Sequence, residues 1–431
     1  MTLVITDTLD WDTFAEQHWD RRPVLFKAVA QPPFREDEVF RAAVLATRPP
    51  APRVMAPTTQ FTIGRDQQTE PGTFLPREAD GSLDGYAKRM TEELDGRRHA
   101  LVVHAFHAFH APQWDRERRF CSGLWRRVGL PVSGAITTLF HGNYEHSPVG
   151  VHKDRFATFM FALRGRKRMR FWPTCPWSEP VSSMLDYQHL LETSFTAEAE
   201  PGDLLYWPAD YYHVGESDLS SEPATSVNIG VPRTGHRADY DIPEFLYDPT
   251  PYSLVTGEAD PGALPPVAGA LLMDPALAGA RLGDRLPPGL EEALETYRRA
   301  GDEQRVRERT AVLSLRKWTA DGVQPVPPPA PVRALADTDR VRALAPVRWT
   351  DCPPVRLCGA LGHVTRTPLP AEALGRLVTR LAEGTPAGVG DLVPAGAQAP
   401  DGPDDAAHED GAAARRLLEE LESFRALERL T

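Results

Sequence analysis

Residues 134–232 read as short β segments separated by turn residues, and this run constrains the fold more than any other feature of the chain. Repeated short strands at turn-punctuated spacing predict a jelly roll or small barrel. The flanks read differently. Residues 1–50 are mostly helical in pattern, with a short strand at 21–27; residues 50–98 are rich in Pro, Gly and charge and show no clear period. A strand at 100–106 and a helix at 114–128 precede the β run.

After Pro232 the composition shifts. Residues 243–288 are rich in Pro, Gly and Ala. A charged helix is expected over 289–318, with Leu290, Leu294, Tyr297, Val306, Leu313 and Leu315 as apolar points, which makes it a candidate for homodimer formation. Residues 325–331 predict a stiff polyproline linker. The tail carries a strand at 355–357, a helix at 371–381 and a final amphipathic helix at 412–430, an order that fits a small winged-helix-like module. At 431 residues the chain has room for two or three domains. The expected division is 1–235, 236–324 and 332–431, in the α+β class overall.

A net charge of -12 argues against nucleic acid as the default partner. It suits a basic protein or peptide, with plain solubility as the alternative. The four cysteines, Cys121, Cys175, Cys352 and Cys358, form no Cys-x-x-Cys pair and fit a reducing cytoplasm. The first residues are neither basic nor long enough for a signal peptide, and no run approaches the ~20 apolar residues of a membrane span. A cytoplasmic protein with no membrane partner is expected.

The chemistry starts from histidine. Three His-x-Asp matches occur, at His18, His152 and His408, and with 13 histidines one or two arise by chance. His18 falls in a helical pattern with Trp11, Phe14 and Ala15, and His408 in an acidic Gly/Pro/Ala run that predicts an exposed loop. Only His152 opens an apolar strand, residues 156–163. On a strand, residues two apart share a face, so His152 and Asp154 can hold one ion while Lys153 points away. His213, about sixty residues on, follows the turn-strand-turn run 201–212. Two imidazoles and one carboxylate suit an open-sided iron(II) centre, whose free positions admit a cosubstrate and oxygen.

Two further strands add polar residues to an apolar interior. In 166–171 alternation puts Lys167, Met169 and Phe171 on one face and three arginines on the other. An interior lysine needs an anion, because an unpaired buried charge is costly, and the distal carboxylate of 2-oxoglutarate would supply one. The alternative is a lysine on a solvated edge strand. In 225–231 Ser226, Asn228 and Gly230 share a face. Asn228 either binds the metal-proximal carboxylate of that cosubstrate or satisfies strand backbone. His104, His107 and His110 recur every three residues but do not converge if a strand turns into a helix there.

Gly150-Val151-His152-Lys153-Asp154, the run 163–168 and Pro201-Gly202-Asp203-Leu204-Leu205-Tyr206-Trp207-Pro208 resemble the JmjC-type cupin oxygenases, nearest to the bacterial ribosomal oxygenase-like proteins. The opening 11–26 is similar to the same branch. The resemblance covers residues 10 to about 232 and implies a double-stranded β-helix core, Fe(II) held by His152, Asp154 and His213, and 2-oxoglutarate as cosubstrate. It also implies a lysine or arginine for the far carboxylate fifteen residues after the first ligand, which is Lys167. Asn228 matches a cosubstrate-binding asparagine of the asparaginyl-hydroxylase relatives. Two departures stand out. Where ribosomal oxygenases often place a cosubstrate-contacting Asn, this chain has Thr137 and Thr138, with Thr138 taken as the replacement. The loop 143–149 is longer than usual, so substrate identity does not transfer. The implied reaction is hydroxylation of a protein or peptide side chain. The alternatives are an oxygenase for a small molecule or peptide natural product, and a non-catalytic metal-binding cupin.

Overall fold

The computed structural model describes residues 3–48, 59–131, 133–144, 147, 149–216, 223–233, 294–295, 297–298, 301–393 and 405–430. The 243–288 stretch and the first residues of the expected 289–318 helix lie outside the described residues, as do 145, 146 and 148 of the long loop. The chain divides into two compact units, residues 1–235 with 321–327, and residues 236–320 with 328–431.

The first unit opens with strand β1 (Val4–Thr6), helix α1 (Trp11–Gln17), strand β2 (Val24–Phe26) and helix α2 (Glu36–Thr47). Asp10 starts α1 as its N-cap, accepting from the Thr13 N–H at 2.8 Å. The segment without a readable period holds β3 (Thr59–Ile63), β4 (Asp66–Gln67) and helix α3 (Leu83–Glu93). That helix was not expected. It is capped by Ser82 and buries Leu83, Tyr86, Ala87 and Met90 along one side. Strand β5 (His99–His104) and helix α4 (Ala111–Val128) follow, the helix capped by the His110 side chain and carrying Pro112 in its first turn.

The β run resolves into β6 (Ile136–Gly142), β7 (Val151–Lys153), β8 (Phe156–Arg164), β9 (Lys167–Trp172), β10 (Ser183–Met184), β11 (Phe195–Ala199), β12 (Leu204–Trp207), β13 (Tyr212–Glu216) and β14 (Ala224–Pro232). With β1–β5 they form a nine-stranded sheet, β1-β2-β12-β8-β14-β6-β5-β3-β4, and a five-stranded sheet, β10-β7-β13-β9-β11. The two inner faces meet in a core that joins Met160, Ala162, Leu205 and Trp207 of the large sheet to Met169, Phe171, Ala197 and Ala199 of the small one. Phe159, Phe161 and Tyr206 alternate to the outer face, where Trp11, Phe14 and Phe120 of α1 and α4 pack on them. Strand β8 is thus covered on both sides, which is why it reads as a continuous apolar run.

The Pro201-Gly202-Asp203 turn ties this barrel to its N-terminal entry. The buried Asp203 carboxylate accepts from Lys27 Nζ at 2.5 Å, Ala28 N–H at 3.1 Å and Glu200 N–H at 2.9 Å. Asp203→Ala orphans three donors at once. It is expected to destabilise the first unit by about 3 kcal/mol in denaturant titration, while Lys27→Met, which leaves the two backbone bonds, costs less.

In the second unit helix α5 (Glu303–Thr319) packs on an antiparallel sheet of β16 (Arg348–Cys352), β17 (Val355–Ala360) and β18 (His363–Thr367). The helix expected to belong to a separate middle region therefore shares a core with the tail: Leu315 joins Cys352 and Leu357. A second sheet pairs β15 (Arg340–Ala343) with β19 (Ala387–Gly388) and β20 (Leu427–Leu430). Helix α6 (Ala371–Ala382) falls where expected. The final helix, α7 (Asp405–Ser423), differs at both ends. It starts early enough to include His408, expected in a loop, and it stops before β20. Arg425 in the left-handed region (φ 64) breaks the helix and turns the chain into that strand. The 325–331 stretch is no exposed linker either: Pro325, Val326 and Pro327 are buried, and the Ala330 N–H donates to the Ser423 carbonyl at 2.8 Å. No helix among the described residues is long and apolar enough to cross a membrane.

Candidate metal centre

His152 stands on β7 and His213 on β13, and the two residues are direct cross-strand partners. Their rings lie 4.6 Å apart between centroids. Asp154, just past the end of β7, reaches both: Oδ1 lies 3.5 Å from His152 Nε2, and Oδ2 lies 3.5 Å from His213 Nε2. One ligand atom from each residue falls within 4.8 Å of the others, and this is the only such His/Asp group among the described residues. Lys153 points away, toward Asp210 at 3.5 Å and the Tyr212 ring.

The backbone around each ligand fixes its orientation. His152 Nδ1 bonds the Gly150 carbonyl at 2.9 Å and His213 Nδ1 the Tyr211 carbonyl at 3.2 Å. A carbonyl accepts only, so each Nδ1 carries a proton and Nε2 is the ring nitrogen left facing Asp154. Gly150 has φ 72, and a Cβ there would meet the Met184 carbonyl oxygen at 2.3 Å. Only glycine lets the chain turn into β7 at this approach. Burial pushes Asp154 up, but the two flanking imidazoles outweigh it and hold the carboxyl well below the usual range. Burial lowers His213 more than Asp154 raises it, whereas at His152 burial is outweighed by Asp154 and the net direction is up. The site therefore holds a fixed carboxylate and two aimed nitrogens with an open side, the donor set that suits a facial iron(II) centre.

The neighbouring rungs place the other polar residues. Lys167 begins β9 on the inner face with 4% exposure. Burial alone pushes its ammonium down to about 7. Among the described residues no carboxylate pairs with it; Nζ instead lies 4.2 Å from the centroid of the Tyr144 ring. Gly215, two residues past His213, packs beside the same side chain: a Cβ there would lie 3.4 Å from Met169 Sδ and 3.6 Å from Nζ. On the large sheet, register aligns His104 of β5 with Thr138 of β6, Thr138 with Asn228 of β14, and Asn228 with Met160 of β8. Met160 lies in the core between the sheets, so this row faces the small sheet. Asn228 Oδ1 and Ser226 Oγ are buried without a hydrogen-bond partner. Thr138 Oγ1 bonds His104 Nδ1 at 2.9 Å. A buried ammonium with no described carboxylate partner and orphaned polar atoms on the facing sheet suit a small dicarboxylate.

Two residues near these groups were not singled out from sequence: Tyr144, and His104 in this role. His104 was weighed only within the histidine triplet, which the structure disperses. His104 bonds Thr138, His107 bonds buried Glu117 at 2.7 Å, and His110 caps α4. Tyr144 carries no pattern of its own, because its position depends on where the loop crosses between the sheets.

Residues 116–236 match the JmjC domain family. The matched segment contains His152, Asp154 and His213, together with Lys167, Thr138 and Asn228. The chain is 25% identical over 233 residues to the ribosomal protein uL16 3-hydroxylase of Escherichia coli (strain K12), covering 53% of this chain and 54% of that one. It is 25% identical over 182 residues to ribosomal oxygenase 2 of Bos taurus, covering 39% and 38%. The chain thus spans about half or less of the length of these curated relatives. A solved structure of YcfD, a ribosomal oxygenase from Escherichia coli, in complex with cobalt and 2-oxoglutarate aligns at 17% identity and a TM-score of 0.43, over 99% of each chain.

Proposed function

We propose that this protein is an iron(II)- and 2-oxoglutarate-dependent oxygenase that hydroxylates a side chain of a protein or peptide. The observation that carries the reading is the His152–Asp154–His213 cluster on the same small sheet as a buried Lys167 without a described carboxylate partner, in a segment that matches the JmjC domain family. In this reading His152, Asp154 and His213 hold the iron, and Lys167 pairs with the distal carboxylate of 2-oxoglutarate. Thr138 and Asn228 supply polar contacts from the large sheet. Bound iron with 2-oxoglutarate and oxygen supplies oxidising power for a C–H bond, with succinate and carbon dioxide as the cosubstrate's products. The chain's own contribution is orientation: carbonyl-fixed imidazoles, an ionised carboxylate, and Phe171 and Trp207 rings packed 6.3 and 5.2 Å from the His213 ring.

One curated relative is named for hydroxylating a ribosomal protein, which supports ribosomal proteins as the first candidate substrates. A net charge of -12 suits such basic partners. The reading is tested by succinate release on incubation with ribosomal proteins. Release is expected to require both iron(II) and 2-oxoglutarate. Turnover with free metabolites and with no polypeptide would overturn the substrate class.

A further inference from the structure

Strand β10 ends the small sheet next to β7, and among the described residues no strand pairs with its outer side. Its Ser183 is the cross-strand partner of His152. Directly paired residues of an antiparallel ladder share a face, so the partly buried Ser183 stands on the same face as the metal ligand. Apolar side chains flank it. Five large apolar side chains are exposed among the described residues of the first unit, and three of them, Val149 (52%), Val181 (48%) and Leu185 (43%), lie along this edge. Both ends of the strip are held. The Val181 carbonyl accepts from Trp177 Nε1 at 3.1 Å, and a Cβ on Gly150 would lie 2.9 Å from Leu185 Cα, so Val149 adjoins Leu185. The connection that carries β10, residues 173–194, has three carboxylates, Glu179, Asp186 and Glu192, and no lysine or arginine. Glu179 and Asp186, both exposed, bracket the strip, and Arg65 lies 3.7 Å from Asp186.

We infer that the β10 edge with Val149, Val181 and Leu185 is a docking surface for the polypeptide substrate, held as an extended segment that carries apolar and basic side chains. This rests on the polypeptide-hydroxylase reading of the site. Single exposed apolar residues are ordinary, whereas three along one strand edge beside a metal ligand mark a contact surface. An unpaired edge also offers backbone N–H and C=O groups to an extended peptide, whose alternate side chains then fall on the strip. The carboxylates at its two ends select a basic segment over an acidic one. Length separates a peptide from a metabolite. From Val181 to Leu185 the chain advances four residues, roughly 13 Å of strand, which four or five peptide residues cover and a small metabolite does not. The edge lies about one strand spacing, ~4.8 Å, from the strand of His152, so a segment held there runs alongside the metal ligands with β10 between them.

The test uses the full chain with iron(II) and 2-oxoglutarate. Succinate release is measured with the total proteins of the ribosome, below saturation, and again with no polypeptide present. Val181→Lys and Leu185→Lys exchange apolar contact for a charge that repels a basic segment. Each is expected to lower polypeptide-stimulated release by about tenfold or more. Bound iron and polypeptide-free release are expected to stay within about twofold of the parent, because both side chains are exposed and neither belongs to the metal cluster. Asp186→Lys is expected to lower stimulated release and to flatten its dependence on salt. Ile5→Lys, on the exposed edge strand β1 of the large sheet, is the control and is expected to change neither rate. Stimulated release that is unchanged in both Val181→Lys and Leu185→Lys, or lowered as much by Ile5→Lys, would overturn the inference. So would a parent dimer in sedimentation that Leu185→Lys dissociates while stimulated release persists, a result that assigns the strip to a second copy of the chain. If ribosomal proteins stimulate no release and a free metabolite does, the polypeptide reading itself fails, and the docking surface with it.

Discussion

Replacing His152 by alanine is expected to remove iron and turnover together. Three protein ligands on a six-coordinate ion leave room for a bidentate cosubstrate and oxygen while still anchoring the metal, and losing one leaves only two donors to hold it. Bound iron measured by elemental analysis should fall from about one per chain to near zero, and turnover by at least ~10³-fold. The fold should survive, because β7 keeps its pairing with β13 and β10 through backbone bonds. His213→Ala and Asp154→Ala should give the same loss, since the three act as a unit and their effects do not add. Retained iron with lost turnover would point instead to a site elsewhere.

Lys167→Met is expected to raise the KM for 2-oxoglutarate by about 10²-fold or more, because a desolvated carboxylate would lose its only described counter-charge. The same substitution should leave the cosubstrate-free protein as stable or more stable. A buried ammonium without a carboxylate partner is a cost that methionine does not carry. The sign of the pH dependence follows. Folding lowers the Lys167 pKa from 10.5 to about 7, so between those values the unfolded chain holds a proton that the folded chain releases. This group therefore makes stability rise with pH across that window, a slope the methionine variant loses. A bound carboxylate reverses the shift, so 2-oxoglutarate binding above pH ~7 should take up a proton, measurable by calorimetry in buffers of different ionisation heat. An absence of proton uptake, with unchanged affinity in the methionine variant, would remove Lys167 from the cosubstrate site.

The sequence revealed most where alternation leaves a pattern. His152 and Asp154 two apart, and Lys167, Met169 and Phe171 two apart, are facts of strand geometry that need no tertiary knowledge. His213 required its setting, a strand bounded by two turns. What escaped has a physical reason in each case. Helix α3 is short, begins beside Gly81 and carries Gly85 in its first turn, so its apolar spacing is hidden among breakers. The last four residues before the terminus have apolar spacing that a helix or a strand accommodates, and only the left-handed Arg425 decides between them. The buried 325–327 prolines look like a linker because composition says nothing of packing. Tyr144 and His104 depend on partners 23 and 34 positions away in sequence, at Lys167 and Thr138, which only strand register and loop path bring together.

The central claim is most directly tested by following heavy-isotope dioxygen. The full chain is incubated with iron(II), 2-oxoglutarate and ribosomal proteins, and the digested products are read by mass spectrometry. The account predicts one labelled oxygen atom on a defined side chain, matched by an equal amount of succinate, with both absent in His152→Ala. An inserted oxygen that carries no label, or modification that persists without 2-oxoglutarate, would contradict it.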